Sequence, residues 1–300
     1  MLRQIYRCAG LALVVAALAG CGSDEKSSVP SQFSYDDSRP LDAQIKPTSF
    51  STNEVRVDDV SFIGPGDTFL NAYLLTPSGS EGRHPAVIYA HGAGGDRQEL
   101  LGEALQMADK GTVTLALDMI YSTERAKELP EGMEGARANS KLEQEAVKEV
   151  RRAVDFLQSR DDVDEDEIGY VGWSQGARMG ALTSGVEHRI KAYDLIAGGA
   201  APVSEYVKYA PVDLQDELRT LLERTDPLHF VAQAEPSELL FQDGRQDKVV
   251  PEAALKELAQ AGSEPKEVRW YEAGHVPTSK MWADSRSWLS DQLGLTDPTA

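Results

Sequence analysis

Residues 167–184, "EIGYVGWSQGARMGALTS", set a short apolar run, a serine and a helix-forming run in immediate succession. A continuous apolar run of this length reads as a buried strand, and the residues after Ser174 read as a helix. Only a sheet whose strand passes straight into a covering helix accommodates such a join. Gly172 and Gly176 flank Ser174 two positions away on either side. Glycine at both places removes side chains that would collide across a sharp turn. Ser174 is then either a nucleophile held out at a strained elbow or a serine that happens to stand in an ordinary strand–loop–helix connection.

The rest of the chain repeats this alternation. "EVRVDDVSFI" (54–63) and "TFLNAYLLTP" (68–77) alternate apolar and polar residues, as an antiparallel pair with one solvated face does. "AVIYA" (86–90) and "TVTLALD" (112–118) are buried strands, separated by an amphipathic helix over 96–111 closed by Gly111. A long helix is expected over 138–159, further strands in "IKAYDLIAG", "SELLFQD" and "EVRWYEA", and helices at 251–261 and 278–293. Strands alternating with helices define an α/β protein, with a mostly parallel twisted sheet of about eight strands and helices on both faces. The first pair of strands is antiparallel. Residues 200–235 are too long for a simple crossover and are expected to form a small, partly helical insert or lid.

A serine nucleophile needs a base, and the base an orienting carboxylate. Five histidines are available. His84 stands at a strand entrance and His188 in a polar connection. His229 lies inside the insert and is the rival base. His275, in "WYEAGHVP", follows the last strand directly, so its loop leaves the sheet edge that carries Ser174. The acid is sought after the preceding strand, in "LLFQDGRQDKVVP". Asp243 abuts Gly244 at the strand end, whereas Asp247 lies further out and is better placed to reach across. Asp247 is preferred and Asp243 is the fallback. Trp173 and Arg178 flank the nucleophile, where packing and a surface ion pair compete with contact to substrate.

The order Ser174, Asp247, His275 is that of the α/β-hydrolases. From about residue 55 to 290 the chain resembles the dienelactone-hydrolase-like serine esterases of that superfamily, through "HGAGG", "GYVGWSQG", "DGRQDKVVP" and "AGH". Dienelactone hydrolases proper carry cysteine where this chain has Ser174, and many relatives have a further glycine where it has Ala177. The resemblance implies an oxyanion hole made from the backbone N–H groups of Ala93, in "YAHGAGGDRQ", and of Gln175. It implies ester hydrolysis through an acyl-enzyme, with a small-molecule ester as substrate. A peptidase of the prolyl-oligopeptidase type and a non-catalytic binding lipoprotein on the same fold are the alternatives.

The N-terminus reads as a separate element. Two arginines in "MLRQIYR", the apolar run "CAGLALVVAALAG" and the ending "LAGC" follow a signal-peptide pattern. The ending resembles a bacterial lipobox, with residues 1–20 removed and Cys21 lipidated. Residues 21–50 would form a lipidated cysteine and flexible tether, and 51–300 the hydrolase domain. The expected location is the cell envelope, lipid-anchored to a membrane, with the outer membrane suggested by Gly22. The only other cysteine is Cys8, which leaves an exported domain no disulfide. A net charge of −19 argues against a nucleic-acid partner. No metal or cofactor signature occurs. Asp162, Asp164 and Asp166 alternate as in a calcium loop, but Glu167 replaces the glycine such a loop requires.

Overall fold

The computed structural model describes residues 29–66, 68–79, 82–122 and 129–295. Its strands are β1 (Gln44–Pro47), β2 (Val55–Ile63), β3 (Phe69–Pro77), β4 (His84–Ala90), β5 (Val113–Leu117), β6 (Val163–Trp173), β7 (Ala192–Ile196), β8 (Glu238–Gly244) and β9 (Lys266–Tyr271). They form one sheet in the order β1-β2-β3-β5-β4-β6-β7-β8-β9. β1 to β3 run antiparallel, β3 meets β5 antiparallel, and every pair from β5 to β9 is parallel.

The two-residue period of the strands divides the core into two layers. Ile88, Leu115, Tyr170, Leu195 and Phe241 point to one face, where α2 (Gly132–Gln158) and α3 (Gln175–Ser184) cover them. Val87, Tyr89, Ala116, Val171, Ile196 and Leu240 point to the other, against α1 (Leu101–Ala108) and α8 (Ser279–Gln292). Covering on both faces explains why β5 and β7 are buried at every residue, Thr114 and Asp194 included.

Besides α1, which begins at Leu101 rather than 96, three boundaries differ from the sequence reading. α2 begins at Gly132, six residues before the expected start, because "EGMEG" reads as a loop. Gly135 belongs to that first turn for a steric reason: a Cβ there would stand 1.8 Å from the Pro130 carbonyl oxygen. β6 starts at Val163, ahead of the apolar run read from 167, and takes in Asp164 and Asp166, while Asp162 pairs with Arg160 at 2.6 Å.

The third difference lies in the expected tether. Cys21 and the leader fall outside the described residues, but the chain is fastened from Val29 onward. Phe33 is fully buried, edge-on to Phe230 at 5.2 Å. β1 adds a ninth strand by pairing with β2. The buried Arg152 guanidinium donates to the carbonyls of Asp37, Arg39, Pro40 and Ile63. With the Asp155 carboxylate, which meets Nη1 at 3.2 Å, these bonds satisfy the buried charge. Residues 29–50 therefore pack against the rest of the described chain and do not stand off it as a free tether. Backbone carbonyls have no side-chain signature, so the polar composition of this arm conceals its attachment.

The insert contains α4 (Val203–Val207), α5 (Gln215–Glu223) and α6 (Pro227–Val231). Phe230 and Val231 anchor it in the core, and Asp226 caps α6 by accepting from the Leu228 N–H at 3.0 Å. α5 has no buried residue. α7 (Glu252–Ala261) connects β8 to β9. Among the described residues, no helix is long and apolar enough to cross a membrane.

Candidate active site

Ser174 stands at the join of β6 and α3 with φ 55° and ψ −111°. A non-glycine residue held there carries about 1–3 kcal/mol of strain, which surrounding contacts must offset. The Ser174 N–H donates to the Ile196 carbonyl at 2.8 Å, and its carbonyl accepts from the Arg178 N–H at 3.0 Å. The Tyr170 hydroxyl donates to the Gly176 carbonyl at 2.7 Å. The glycines are sterically required: a Cβ on Gly172 would lie 2.4 Å from Gly176 backbone, and one on Gly176 would lie 2.1 Å from the Ala90 oxygen.

The loops after β8 and β9 are tied together by their backbones. Arg245 N–H donates to Tyr271 O and Gln246 N–H to Ala273 O, each at 2.9 Å. Asp247 accepts from the N–H groups of Val249 and Val250 on Oδ1, at 2.7 and 2.9 Å. Its other oxygen, Oδ2, meets His275 Nδ1 at 2.8 Å. His275 Nε2 meets Ser174 Oγ, also at 2.8 Å. Trp173 Nε1–H donates to the His275 carbonyl at 3.0 Å and so holds the histidine loop against the elbow. The Asp247 side chain is 1% exposed and that of His275 14%, so the contact is shielded from water.

Asp243, the fallback acid, is buried four residues earlier, and its Oδ2 has no hydrogen-bond partner among the described residues. Burial, and then the charge of Asp247, push its carboxyl up to about 8, which keeps it protonated at neutral pH. His229, the rival base, sits in α6, and the side-chain N–H of Gln233, just past the helix end, reaches its Nε2 at 2.9 Å. His84 meets the Gly111 carbonyl at 3.0 Å, and His188 is exposed.

Ala93 and Gln175 line one cavity of about 200 Å³ with Tyr121, Leu129, Asn139, Leu142, Glu143 and Met179. Gln175, Asn139 and Glu143 also border a second cavity of about 340 Å³, whose far wall is the insert, including Val203, Tyr206, Leu222 and Asp226. The expected lid is thus a side wall of the site. Arg178 donates through Nε and Nη2 to Glu143 Oε1 at 3.2 and 2.9 Å, so it makes an internal ion pair at this wall. Asn139, Tyr121 and Glu143 are cavity residues that sequence reasoning missed. Glu143 carried a signal, because it lies on the apolar stripe of α2 with Ala146, Val147 and Val150.

Sheet order, elbow and the three-residue hydrogen-bonded chain define an α/β-hydrolase. The chain belongs to the acetyl xylan esterase (AXE1) family of carboxylic-ester hydrolases, whose model matches residues 34–245. That match ends before Asp247 and His275. Over 135 residues the chain is 29% identical to YtaP of Bacillus subtilis, named as a hydrolase; the match spans 40% of this chain and 45% of that one, less than half its length. The acetyl xylan esterase of Paenibacillus sp. R4 superposes with a TM-score of 0.71 at 23% identity, over 85% of this chain and 90% of that one. Acetyl xylan esterase 1 of a Thermoanaerobacterium species gives 0.74 at 17% identity, over 89% and 92%. A Klebsiella pneumoniae protein named for dienelactone hydrolase gives 0.62 at 15% identity, over 81% and 100%. At these identities the structures show the shared fold.

Proposed function

We propose that the protein hydrolyses carboxylic esters of small acyl groups through an acyl-enzyme on Ser174. The observation that carries the reading is the unbroken chain Ser174 Oγ, His275 Nε2, Nδ1, Asp247 Oδ2, with both contacts at 2.8 Å. His275 takes the hydroxyl proton as Oγ attacks the ester carbonyl. Asp247 holds the proton on Nδ1 and stabilises the imidazolium that forms. The N–H groups of Ala93 and Gln175 receive the oxyanion. His275 then protonates the leaving alcohol, and water repeats the sequence on the acyl-enzyme.

The small cavity bordered by both oxyanion residues suits a short acyl group such as acetyl, the group named by the family. Asn139, Glu143 and Gln175 offer hydrogen-bonding groups where the alcohol would lie, which favours a hydroxylated alcohol such as a carbohydrate. The test is a pair of substrates sharing an acetyl group, one a p-nitrophenyl ester and one the matched anilide. Ester kcat/KM exceeding the amide value by roughly 10³-fold or more, a barrier gap of about 4 kcal/mol, is expected. Comparable rates would favour a peptidase. No turnover and no labelling of Ser174 by a fluorophosphonate would favour a binding protein.

The pattern ending at Cys21 supports export and lipid anchoring of this enzyme to an envelope membrane. In the native host, wild type should fractionate with membranes and Cys21→Ser should remain unprocessed; a freely soluble wild type would overturn the anchor.

A further inference from the structure

The loop after β4 carries the Ala93 N–H, and within it the Gly95 N–H donates to the Gly92 carbonyl at 3.2 Å. Glycines 92, 94 and 95 give the segment wide backbone freedom, and Gly94 adopts φ 77°. Three side chains remove that freedom. His91 is 1% exposed; its Nε2 accepts from the Met119 N–H at 3.2 Å, which places the ring proton on Nδ1. Nδ1–H then donates to the Gly92 carbonyl at 2.7 Å. Carbonyl and N–H point oppositely across a trans peptide, so the Ala93 N–H is directed away from His91. Arg97 holds the far end of the loop, with Nη1 and Nη2 on the two carboxylate oxygens of Asp59 at 3.1 and 3.0 Å.

Glu99 supplies the third restraint, and it comes from outside the "HGAGG" stretch. Its Oε2 accepts the Gly92 N–H at 2.8 Å, so Gly92 is held at its N–H by Glu99 and at its carbonyl by His91. The carboxylate reaches this bond by lying over Gly95. A Cβ on Gly95 would stand 2.4 Å from Oε2 and 2.7 Å from Cδ. Gly92 in turn packs on the elbow: a Cβ there would lie 3.6 Å from Ser174 Cβ and 3.4 Å from the Trp173 ring.

We propose that Glu99 is a positioning residue for the oxyanion hole, with its carboxylate clipping Gly92 so that the Ala93 N–H is pre-aimed at the carbonyl under attack from Ser174. The role rests on the esterase reading above and extends it to a residue seven positions past Gly92 in the chain. The clip acts on the tetrahedral state, because only there does the oxygen carry the charge the N–H receives. Loss of the clip therefore lowers kcat and leaves KM largely unchanged.

The experiment compares wild type with Glu99→Ala, Glu99→Gln and Gly95→Ala on a p-nitrophenyl ester. Affinity for a trifluoromethyl ketone, which adds to Ser174 as a tetrahedral oxyanion, is measured alongside. Removing an oxyanion donor outright costs about 10²–10³ in kcat, and misaiming one should cost roughly 10- to 100-fold. Glu99→Ala should lose that much kcat with KM within about twofold, and bind the ketone more weakly by the same factor. Glu99→Gln keeps an acceptor for the Gly92 N–H and should recover most of the loss. Gly95→Ala should resemble Glu99→Ala, because its methyl displaces the carboxylate while Glu99 is still present; it stands in if Glu99→Ala fails to fold. Wild-type kcat in Glu99→Ala or Gly95→Ala would overturn the clip and leave the esterase reading intact. Equal loss in Glu99→Ala and Glu99→Gln would also overturn it. Absence of wild-type turnover and of fluorophosphonate labelling at Ser174 would overturn the esterase reading and the clip with it.

Discussion

Ser174 has two unlike sides. On one, Asp247 and His275 stand on loops bound to each other through backbone bonds, and Asp247 spends one oxygen on two loop N–H groups before offering the other to His275. On the other, α2 and the insert border cavities whose wall contacts are between side chains. There Glu143 meets Arg178, and the insert helix α5 has no buried residue. Backbone geometry holds the proposed chemistry on the first side, and side-chain identity sets the shape and polarity of the second. Substitutions on the first side should therefore act on kcat, and those on the second on KM and on substrate choice.

The largest expected effect tests the first side at its centre. Ser174→Ala should lower ester kcat/KM by roughly 10⁴-fold or more with an unchanged unfolding midpoint. Wild-type turnover in that variant would erase the distinction between the sides. Next come the two aspartates. Asp247→Asn disturbs the His275 tautomer and should cost on the order of 10³–10⁴ in kcat. Asp243→Asn removes a carboxyl whose Oδ2 has no hydrogen-bond partner among the described residues and should cost less than about tenfold. The reverse ranking in steady-state assays would move the acid by four residues.

A smaller effect tests the second side. Glu143→Gln keeps an acceptor for Arg178 but weakens a charge-assisted bond. KM should shift several-fold among acetyl esters that differ in their alcohol, with kcat within about twofold. A kcat loss as large as that of Asp247→Asn would show that the cavity wall belongs to the chemistry.

The smallest effect is on stability. Burial pushes Glu149 and Asp243 up to about 8 and Asp194 up to about 7, with the charge of Asp247 adding to the shift of Asp243. Carboxyls in the unfolded chain titrate near ~4. Above that value the folded state keeps protons that the unfolded state releases, so stability falls as pH rises and levels off once the folded groups ionise. Denaturant midpoints should accordingly decline between about pH 5 and pH 8. Glu149→Gln, which keeps an acceptor for the Ile120 N–H, should flatten the decline, and an unaltered slope would remove Glu149 as a cause.

Much of the architecture was legible because its signals are local. β4 and β5 read as short, mostly apolar runs, and the Gly172–Ser174–Gly176 spacing announced a turn in which any added Cβ would collide. The attachment of residues 29–50 was not legible. Its anchor, Arg152, is one basic residue in a helix rich in charge, and its partners in that arm are carbonyl oxygens. Glu143 and Glu149 could have been flagged, since both interrupt the apolar stripe of α2. What they face depends on the insert and on the segment after β5, neither of which the stripe reveals. Glu99 carried no signal at all, because its partner is a backbone N–H.

The sequence by itself determined the alternation of strands and helices, the elbow, and the order serine, aspartate, histidine. These follow from the sterics and periodicity of residues adjacent in the chain. Only the tertiary structure decided which aspartate faces His275, and that Ser174 meets a histidine 101 residues away. Strand order β6-β7-β8-β9 brings the three loops to one sheet edge. Backbone bonds between Arg245 and Tyr271, and between Gln246 and Ala273, then set their registration to within a hydrogen-bond length. Every residue except proline carries the same amide donor, and every residue the same carbonyl acceptor. Such bonds therefore leave almost no trace in the identity of the side chains, and the chain must fold before they can choose.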